Sequence, residues 1–566
     1  MQMIDAHPHR QRGTRGRRAL LAVLAVTLTA WLGASYAQEE RPAGSTGGTL
    51  VIGQLQEPAS MILAESSTPV SAQYYTAMLI NEPLVKVDHD FNVVPGLLVE
   101  VPSVESGTIS EDYGVYTLKL RDDVTWEDGT PVTADDIVFT WQWLIDPANV
   151  AYATHGWEKV ESIDVLDPQT VVVTLTTGFA FWLDEAVINM GIAPKHALEG
   201  ANKDQFNQRP IGNGPFKLTE WRTGDVLIFE RNDRYYRGPA YLDRVVVRII
   251  PDTNALATAV MAGDVHMAIG LLTANVPQLQ NAPGVNVVTT TWPQLERIFF
   301  SQTVPGDTST PHPILTDKAV RKALILSVNL EEILQTLYFG INPVAVNELQ
   351  GTSWFNEELE PYPYDPEEAR RTLEEAGWVD TDGDGIREKD GVRLRLSHST
   401  TAGNRARESM QAVMQQAWAD VGIEVEIQNY PAPSFFGGWD GVAWGRRYEM
   451  AQFSNGVFAL NPNLSDWWHS DAIPFPEKPF GNGHSGWHND RVDELLDEHR
   501  KGVSAERARE ILDEVQRIIY DDYAMFPLFQ AATIFAIRDE VQNVNPTQFG
   551  AQAGLFWDVY NWSLGR

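Results

Sequence analysis

Three aspartates at alternate positions open the loop Asp380-Thr381-Asp382-Gly383-Asp384-Gly385. Acids at positions 1, 3 and 5 with a turn glycine at 6 make up the first half of a calcium-binding EF-hand loop. In that frame Ile386 would offer a backbone oxygen and Glu388 would fall at position 9. The pattern then fails, because position 12 is Gly391 where a bidentate glutamate is needed, and Asp390 comes one residue early. The candidate ligands for calcium are therefore Asp380, Asp382, Asp384, Ile386 and Glu388, in a loop that lacks its strongest donor. The competing reading is a solvated Asp/Gly turn between a helix and a strand.

Catalytic chemistry finds no comparable set. HExxH is absent, and Gly483-His484-Ser485-Gly486 departs from GxSxG at Trp487. The glycine-rich bend Ile211–Phe216 continues with Pro215 where a phosphate loop needs Lys and then Ser or Thr, so it reads as a structural turn. Asp122/Asp123 and Asp135/Asp136 are adjacent in sequence: on a strand such pairs face opposite ways, and in the first turn of a helix they serve the dipole. A glycosidase, with two carboxylates facing each other across a cleft, stays open as an alternative. With no cysteine in the chain, disulfides, thiol catalysis, iron–sulfur clusters and cysteine zinc sites are excluded. Apart from calcium at the acidic loop, no cofactor is expected. Tryptophans crowd one segment, Trp439, Trp444, Trp467, Trp468 and Trp487, in glycine-rich irregular sequence. They either pack a core or offer flat apolar surface to a ligand.

The elements that would position these residues follow a repeated pattern. Val245–Ile250 is a β-branched run ended by Pro251; Asp252 or Thr253 can cap a helix carrying Leu256 and Val260; Gly263 stops it; Val265, Met267 and Ile269 alternate as a returning strand. Two strands joined by so short a helix lie parallel in one sheet. The same grammar recurs downstream: Val392, Leu394 and Leu396 alternate, a helix from about Asn404 carries Met410, Val413, Ala417, Trp418 and Val421 on one face, and Ile423, Val425 and Ile427 alternate again. Two α/β cores imply two lobes. Elsewhere Thr49–Gly53 reads as a strand, Gln73–Leu79 as a short helix, Thr133 with Asp136 as a capping box, and 158–178 as a hairpin turning at Asp167-Pro168.

The 566 residues exceed what one hydrophobic core normally serves. Arg10, Arg12, Arg15, Arg17 and Arg18, an apolar run from Ala19 to Leu32 and the ending Ala34-Ser35-Tyr36-Ala37 form a secretory signal peptide over residues 1–37. The run is too short for a membrane span, and without cysteine the mature N-terminus cannot carry a lipid, so a freely diffusing periplasmic protein is expected. Cleavage moves the formal charge from −33 to −37 by removing five arginines and one aspartate. So acidic a surface repels nucleic acid and anionic membrane.

The signal peptide and the segments RDDVTWEDGTPVTADDIVFTW (121–141), IGNGPFKL (211–218), RNDRYYRGPAYLDRVVVRIIPDTNALATAVMAGDV (231–265), TDKAVRKALILSVNLEEIL (316–334), YDPEEARRTLEEAGW (364–378) and HNDRVDELL (488–496) resemble, in order, the extracellular solute-binding proteins of ABC importers, the peptide, opine and nickel family. The resemblance spans nearly the whole mature chain. It implies an α/β, two-lobed periplasmic-binding-protein fold of the large class II subtype, with an extra subdomain inserted in the first lobe. Lobe I would comprise 48–85, 205–297 and 528–566, the insertion 86–204, and lobe II 298–527, with crossovers near 292–301 and 523–530. It further implies a monomeric receptor that captures a peptide or similar small solute and delivers it, unchanged, to permease subunits in the membrane. By position, the candidates for ligand contact are Tyr75, Trp292, Arg297, Trp439, Trp444, Phe453, Asn455, Phe458 and Trp467. The chain departs from the family at one place. Where its peptide binders carry an aspartate for the terminal ammonium, a few residues before Asn461-Pro462, this chain has about Phe458. Either another acid, such as Asp440 or Glu449, takes that role, or the solute lacks the charge, and a neutral oligosaccharide stacked on the tryptophans is the alternative.

Overall fold

Alternating apolar residues build the strands. The computed structural model describes residues 41–566 except 59, 62–71, 73–75, 89–91, 150–155, 189–190, 457–461, 479–480, 546–554 and 566, and except the side chains of 204, 292 and 293. The signal segment 1–37, Tyr75 and Phe458 lie outside the described residues, as does the side chain of Trp292.

Strand β1 (Thr49–Gln54) is followed, after a short antiparallel pair (Val85–Val87 with Val93–Pro95), by β2 (Val115–Lys119), β3 (Val160–Asp167) and β4 (Thr170–Leu175), which form an antiparallel sheet of their own with β4 in the middle. Helix α1 (Ala134–Ile145) lies in the same segment; the Asp136 carboxylate accepts from the Thr133 N–H at 2.9 Å, closing the turn that the capping pattern implies. The core here is Tyr116, Leu118, Trp126, Ile137, Val173 and Trp182. The chain then returns through β5 (Phe216–Arg222), β6 (Val226–Arg231), β7 (Arg244–Ile249), β8 (Met267–Leu271), the long β9 (Val285–Phe300), β10 (Arg395–Ser399), β11 (Glu424–Ile427), β12 (Met450–Gly456) and the long β13 (Met525–Arg538). With β1 these make one ten-stranded sheet in the order β11-β10-β12-β9-β13-β8-β1-β7-β6-β5.

Both β-α-β units are present, and two residues of the second, Val392 and Val413, depart from expectation. In the first, β7, helix α2 (Thr253–Ala262) and β8 follow each other as the residue pattern requires, and Gly263 ends α2 at φ 82°. The two strands are parallel but not adjacent, because β1 sits between them and pairs with both, Leu50 opposite Val245 and Ile52 opposite Met267. In the second, β10 and β11 are direct parallel neighbours. Val392 and Arg393 do not belong to β10; they pair with Glu388 and Lys389 in a short hairpin. On the intervening helix α3 (Arg405–Ala419), Met410, Met414 and Trp418 make the buried stripe in steps of four, whereas Val413 is 46% exposed. Val413 stands one residue, about 100° of helical rotation, away from that stripe.

The sheet runs through both lobes, and residues 44–566 accordingly form one compact unit. One lobe packs Leu50, Ile52, Phe229, Val247, Met267 and Phe535 around β1 and β7. The other packs Ile298, Phe300, Leu324, Leu396, Met414 and Trp418 beneath β9 and α3. The strands common to both are β9 and β13. Residues 285–291 of β9 pair with 532–538 of β13, and after a break Leu295 pairs with Gln530. Three residues, 292–294, stand opposite one, Ala531, so the ladder is interrupted in mid-strand. From there on β9 also pairs with β12, Arg297 opposite Phe453 and Leu295 opposite Asn455.

Candidate functional site

Side chains alternate across a strand, so beyond the break β9 presents Leu295, Arg297 and Phe299 on one face and Glu296, Ile298 and Phe300 on the other. The second face is structural. Glu296 is buried and bonded to Arg407 of α3 through two contacts, 2.7 and 2.8 Å, and to Gln452 Nε2 at 2.9 Å, which fixes the helix against the sheet.

The first face builds a different environment. Arg297 is fully buried (0% exposed), with its guanidinium 5.5 Å from the ring centres of both Phe299 and Trp467. Phe299 stacks on Phe453, centroids 4.6 Å apart. His484 stands edge-on to Phe299, Phe453 and Trp444, at 5.4, 5.2 and 5.8 Å. Burial, helped by the Arg297 charge, pushes His484 down to about 3, so its ring is neutral at physiological pH. One carboxylate balances the arginine: Glu348 Oε1 accepts from Arg297 Nη1 at 3.1 Å and from Trp468 Nε1 at 2.6 Å. Burial holds the guanidinium below the ordinary arginine value against the opposing pull of Glu348. Arg297 Nε and Nη2, and both amide atoms of Asn455, have no hydrogen-bond partner among the described residues.

Of the residues expected to touch ligand, Arg297, Trp444, Phe453 and Trp467 come together in this aromatic enclosure, and Asn455 adjoins it on the same sheet face. Trp439 is half-buried in a separate turn, its carbonyl accepting from Arg447 at 3.4 Å. Trp292 occupies the break in β9. Trp468 and Trp487 are buried against each other at 5.5 Å and belong to the core. Glu348, Phe299 and His484 were not among the expected residues. Phe299 was findable two positions after Arg297 on an alternating strand. Glu348 lies in irregular sequence with no periodic signal, and His484 in a glycine-rich run.

Neither acid proposed for an ammonium lies in the enclosure. Asp440 is wholly exposed, 3.9 Å from Arg447, and Glu449 is engaged by His312 at 3.2 Å and by the Ser397 N–H. Another acid, Glu185, sits where the segment carrying β2–β4 meets residues 463–468. Burial first, and the Asp466 charge second, push it up to about 7, with Lys159 opposing and Asn463 hydrogen-bonding it.

In the acidic loop, carboxylate oxygens of Asp380, Asp382 and Asp384 lie within 4.8 Å of one another, all three residues exposed. The Asp380 oxygens accept from the Gly383 and Gly385 N–H groups at 2.7 and 2.9 Å, and Asp384 pairs with Arg393. Ile386 donates its N–H to Asp384 at 3.0 Å. Glu388 does not join the three: its Oε1 accepts from Thr381.

A model of the bacterial extracellular solute-binding proteins, family 5 Middle, matches residues 92–474. The chain belongs to that family. It is 29% identical over 423 residues to the oligopeptide-binding protein AppA of Bacillus subtilis (strain 168), spanning 72% of this chain and 75% of that one. It is 24% identical over 491 residues to the nickel-binding periplasmic protein of Escherichia coli (strain K12), spanning 83% and 87%. The structure of Bacillus subtilis AppA in complex with a nonapeptide superposes with a TM-score of 0.70 at 24% identity, over 93% of this chain and 100% of that one, a likeness of fold. The two-lobed family 5 fold is therefore that of this chain, as the sequence motifs imply. These relatives are named as binding proteins, and they give no support to the oligosaccharide or glycoside hydrolase alternatives. No helix among the described residues is long and apolar enough to cross a membrane.

Proposed function

We propose that this family 5 protein is the exported receptor of an ABC importer and captures a peptide between its lobes for delivery, chemically unchanged, to permease subunits. The observation that carries this reading is the enclosure around Arg297: a buried cation with donors to spare, walled by Phe299, Phe453, Trp444 and Trp467, beside the break in the two shared strands. Apolar walls with a few placed polar groups suit a small ligand that must be bound and then released. Hinged lobes bury such a ligand by closing. The division into lobe I (48–85, 205–297, 528–566), insertion (86–204) and lobe II (298–527), the periplasmic destination set by residues 1–37, and a monomeric state are parts of the same proposal. Calcium is not required by it. The loop carboxylates would hold an ion only if Arg393 released Asp384, and Gly391 leaves the bidentate position empty of a side chain. A thermal-shift screen against random pentapeptides, nickel–histidine chelate and cello-oligosaccharides tests the reading. Peptides are expected to raise Tm, with tryptophan fluorescence changing in step; a response confined to the chelate or the sugars would overturn the peptide assignment.

A further inference from the structure

In the division proposed above, the insertion joins lobe I at both of its chain ends and meets lobe II through side chains. Its attachment to lobe I is firm: Glu127 donates its N–H to the Gly212 carbonyl at 2.8 Å, Arg237 Nη2 donates to the Pro95 carbonyl at 2.8 Å, and Ile211 and Tyr236 pack into the insertion's core. Its contacts with lobe II include two rings seated at the turn between helices α4 (Asp490–Arg500) and α5 (Ala505–Asp521). Phe181 stands edge-on to His499 of α4, ring centres 5.1 Å apart, and both are buried. Burial pushes His499 down to about 4, so its ring is neutral. Tyr113, half-buried, lies against Gly502 just past α4. A Cβ there would overlap the tyrosine ring, so a glycine at φ 79° both makes the turn and leaves the seat that the ring fills. Beside them Lys159 of the insertion attracts Glu185 and, in lobe II, Asp466, and Asn463 hydrogen-bonds both acids.

Tyr113 is held at φ 54°, a left-handed conformation that is unfavourable for a bulky side chain and persists only where the surroundings impose it. Its N–H donates to the Ser110 carbonyl at 2.9 Å and its own carbonyl accepts from the Phe179 N–H at 3.0 Å, so the turn is fixed on both sides with the ring delivered to Gly502. A hinge in β9 and β13 carries the insertion along with lobe I, so opening the lobes parts Tyr113 from Gly502 and Phe181 from His499. We propose that the insertion is a clasp: Tyr113 and Phe181 seat on Gly502 and His499 when the lobes shut, and their hold, added to that of the solute itself, sets how long the solute stays. The inference rests on the lobe division and the peptide capture given above and adds the element that keeps the closed state closed. Removing one of the two ring contacts is expected to speed release by about 10-fold.

Because the chain has no cysteine, the clasp can be locked. In the mature protein carrying Tyr113→Cys and Gly502→Cys, the only two thiols stand on carbons that the ring contact brings within disulfide reach. Oxidation is expected to join them, to lower the radius of gyration of the peptide-free protein, and to bar a random pentapeptide pool with free termini from entering until dithiothreitol is added. Thiols that do not join, or peptide that enters while the disulfide is intact, overturn the clasp and leave peptide capture standing. Should the wild type take up no peptide either, the peptide reading fails and scattering alone decides: equal radii for the oxidised and reduced forms overturn the clasp. Tyr113→Gly gives a second reading that needs no disulfide. Glycine suits φ 54°, so Tm is expected to stay near that of the wild type, while a preloaded pentapeptide pool leaves about 10-fold faster on a desalting column. Release at the wild-type rate overturns the clasp.

Discussion

Glu348 is the residue on which the geometry of Arg297 depends. Converting it to Gln leaves a guanidinium buried without a counter-charge, a change that costs about 3–5 kcal/mol. Glu348→Gln is therefore expected to lower the urea midpoint sharply, and Arg297→Met in the same chain to recover much of the loss; a midpoint unmoved by Glu348→Gln would mean that the pair is solvated. Glu185 makes a pH-dependent contribution of the opposite kind. Its carboxyl is raised from its ordinary 4.5 to about 7, first by burial and then by Asp466. Between those two values the unfolded chain has given up a proton that the folded chain keeps, so stability falls as pH rises through that window and levels off above it. Glu185→Gln is expected to flatten the fall by about 1–3 kcal/mol in urea titrations from pH 4 to pH 8. An identical pH profile in the variant would place the titration elsewhere.

At the scale of elements, α2 shows how little of a turn depends on space. A Cβ at Gly263 would meet nothing nearer than Arg538 Cζ at 3.6 Å, so room exists, but φ is +82°. Gly263→Ala is expected to cost about 1–2 kcal/mol through backbone strain alone, read as a lower Tm with an unchanged fold. The residue patterns made such elements legible: the alternation at Val245–Ile250 and Ile423–Ile427, the capping pair Thr133 and Asp136, and Asp365 accepting from the Glu368 N–H at 2.8 Å are all local consequences of side-chain type. What local pattern does not contain is the partner. β1 slides between β7 and β8 because strand order is decided by long-range packing. Val392 leaves its strand because the Glu388–Lys389 hairpin claims it. The site divides in the same way. Arg297, Phe453 and Asn455 could be placed because β9 and β12 lie in a recognisable order, whereas Glu348 and His484 arrive from loops about 50 and 190 residues downstream of Arg297 with no period to announce them.

At the scale of the molecule, the break in β9 opposite Ala531 lies in strands common to both lobes, so it is where a hinge would absorb the change in backbone angles. Hydrogen exchange at residues 292, 294 and 531 is expected to be faster than at their flanks in the ligand-free protein, and to slow when peptide is bound. Uniform protection along both strands would put the hinge elsewhere. The central claim is that two lobes close on a peptide which leaves unaltered, and small-angle X-ray scattering of the mature protein with and without the free-acid pentapeptide pool tests it most directly. The account predicts a smaller radius of gyration with peptide present, with intact peptides recovered from the complex by mass spectrometry. An unchanged radius of gyration, or recovery of cleaved peptides, would contradict it.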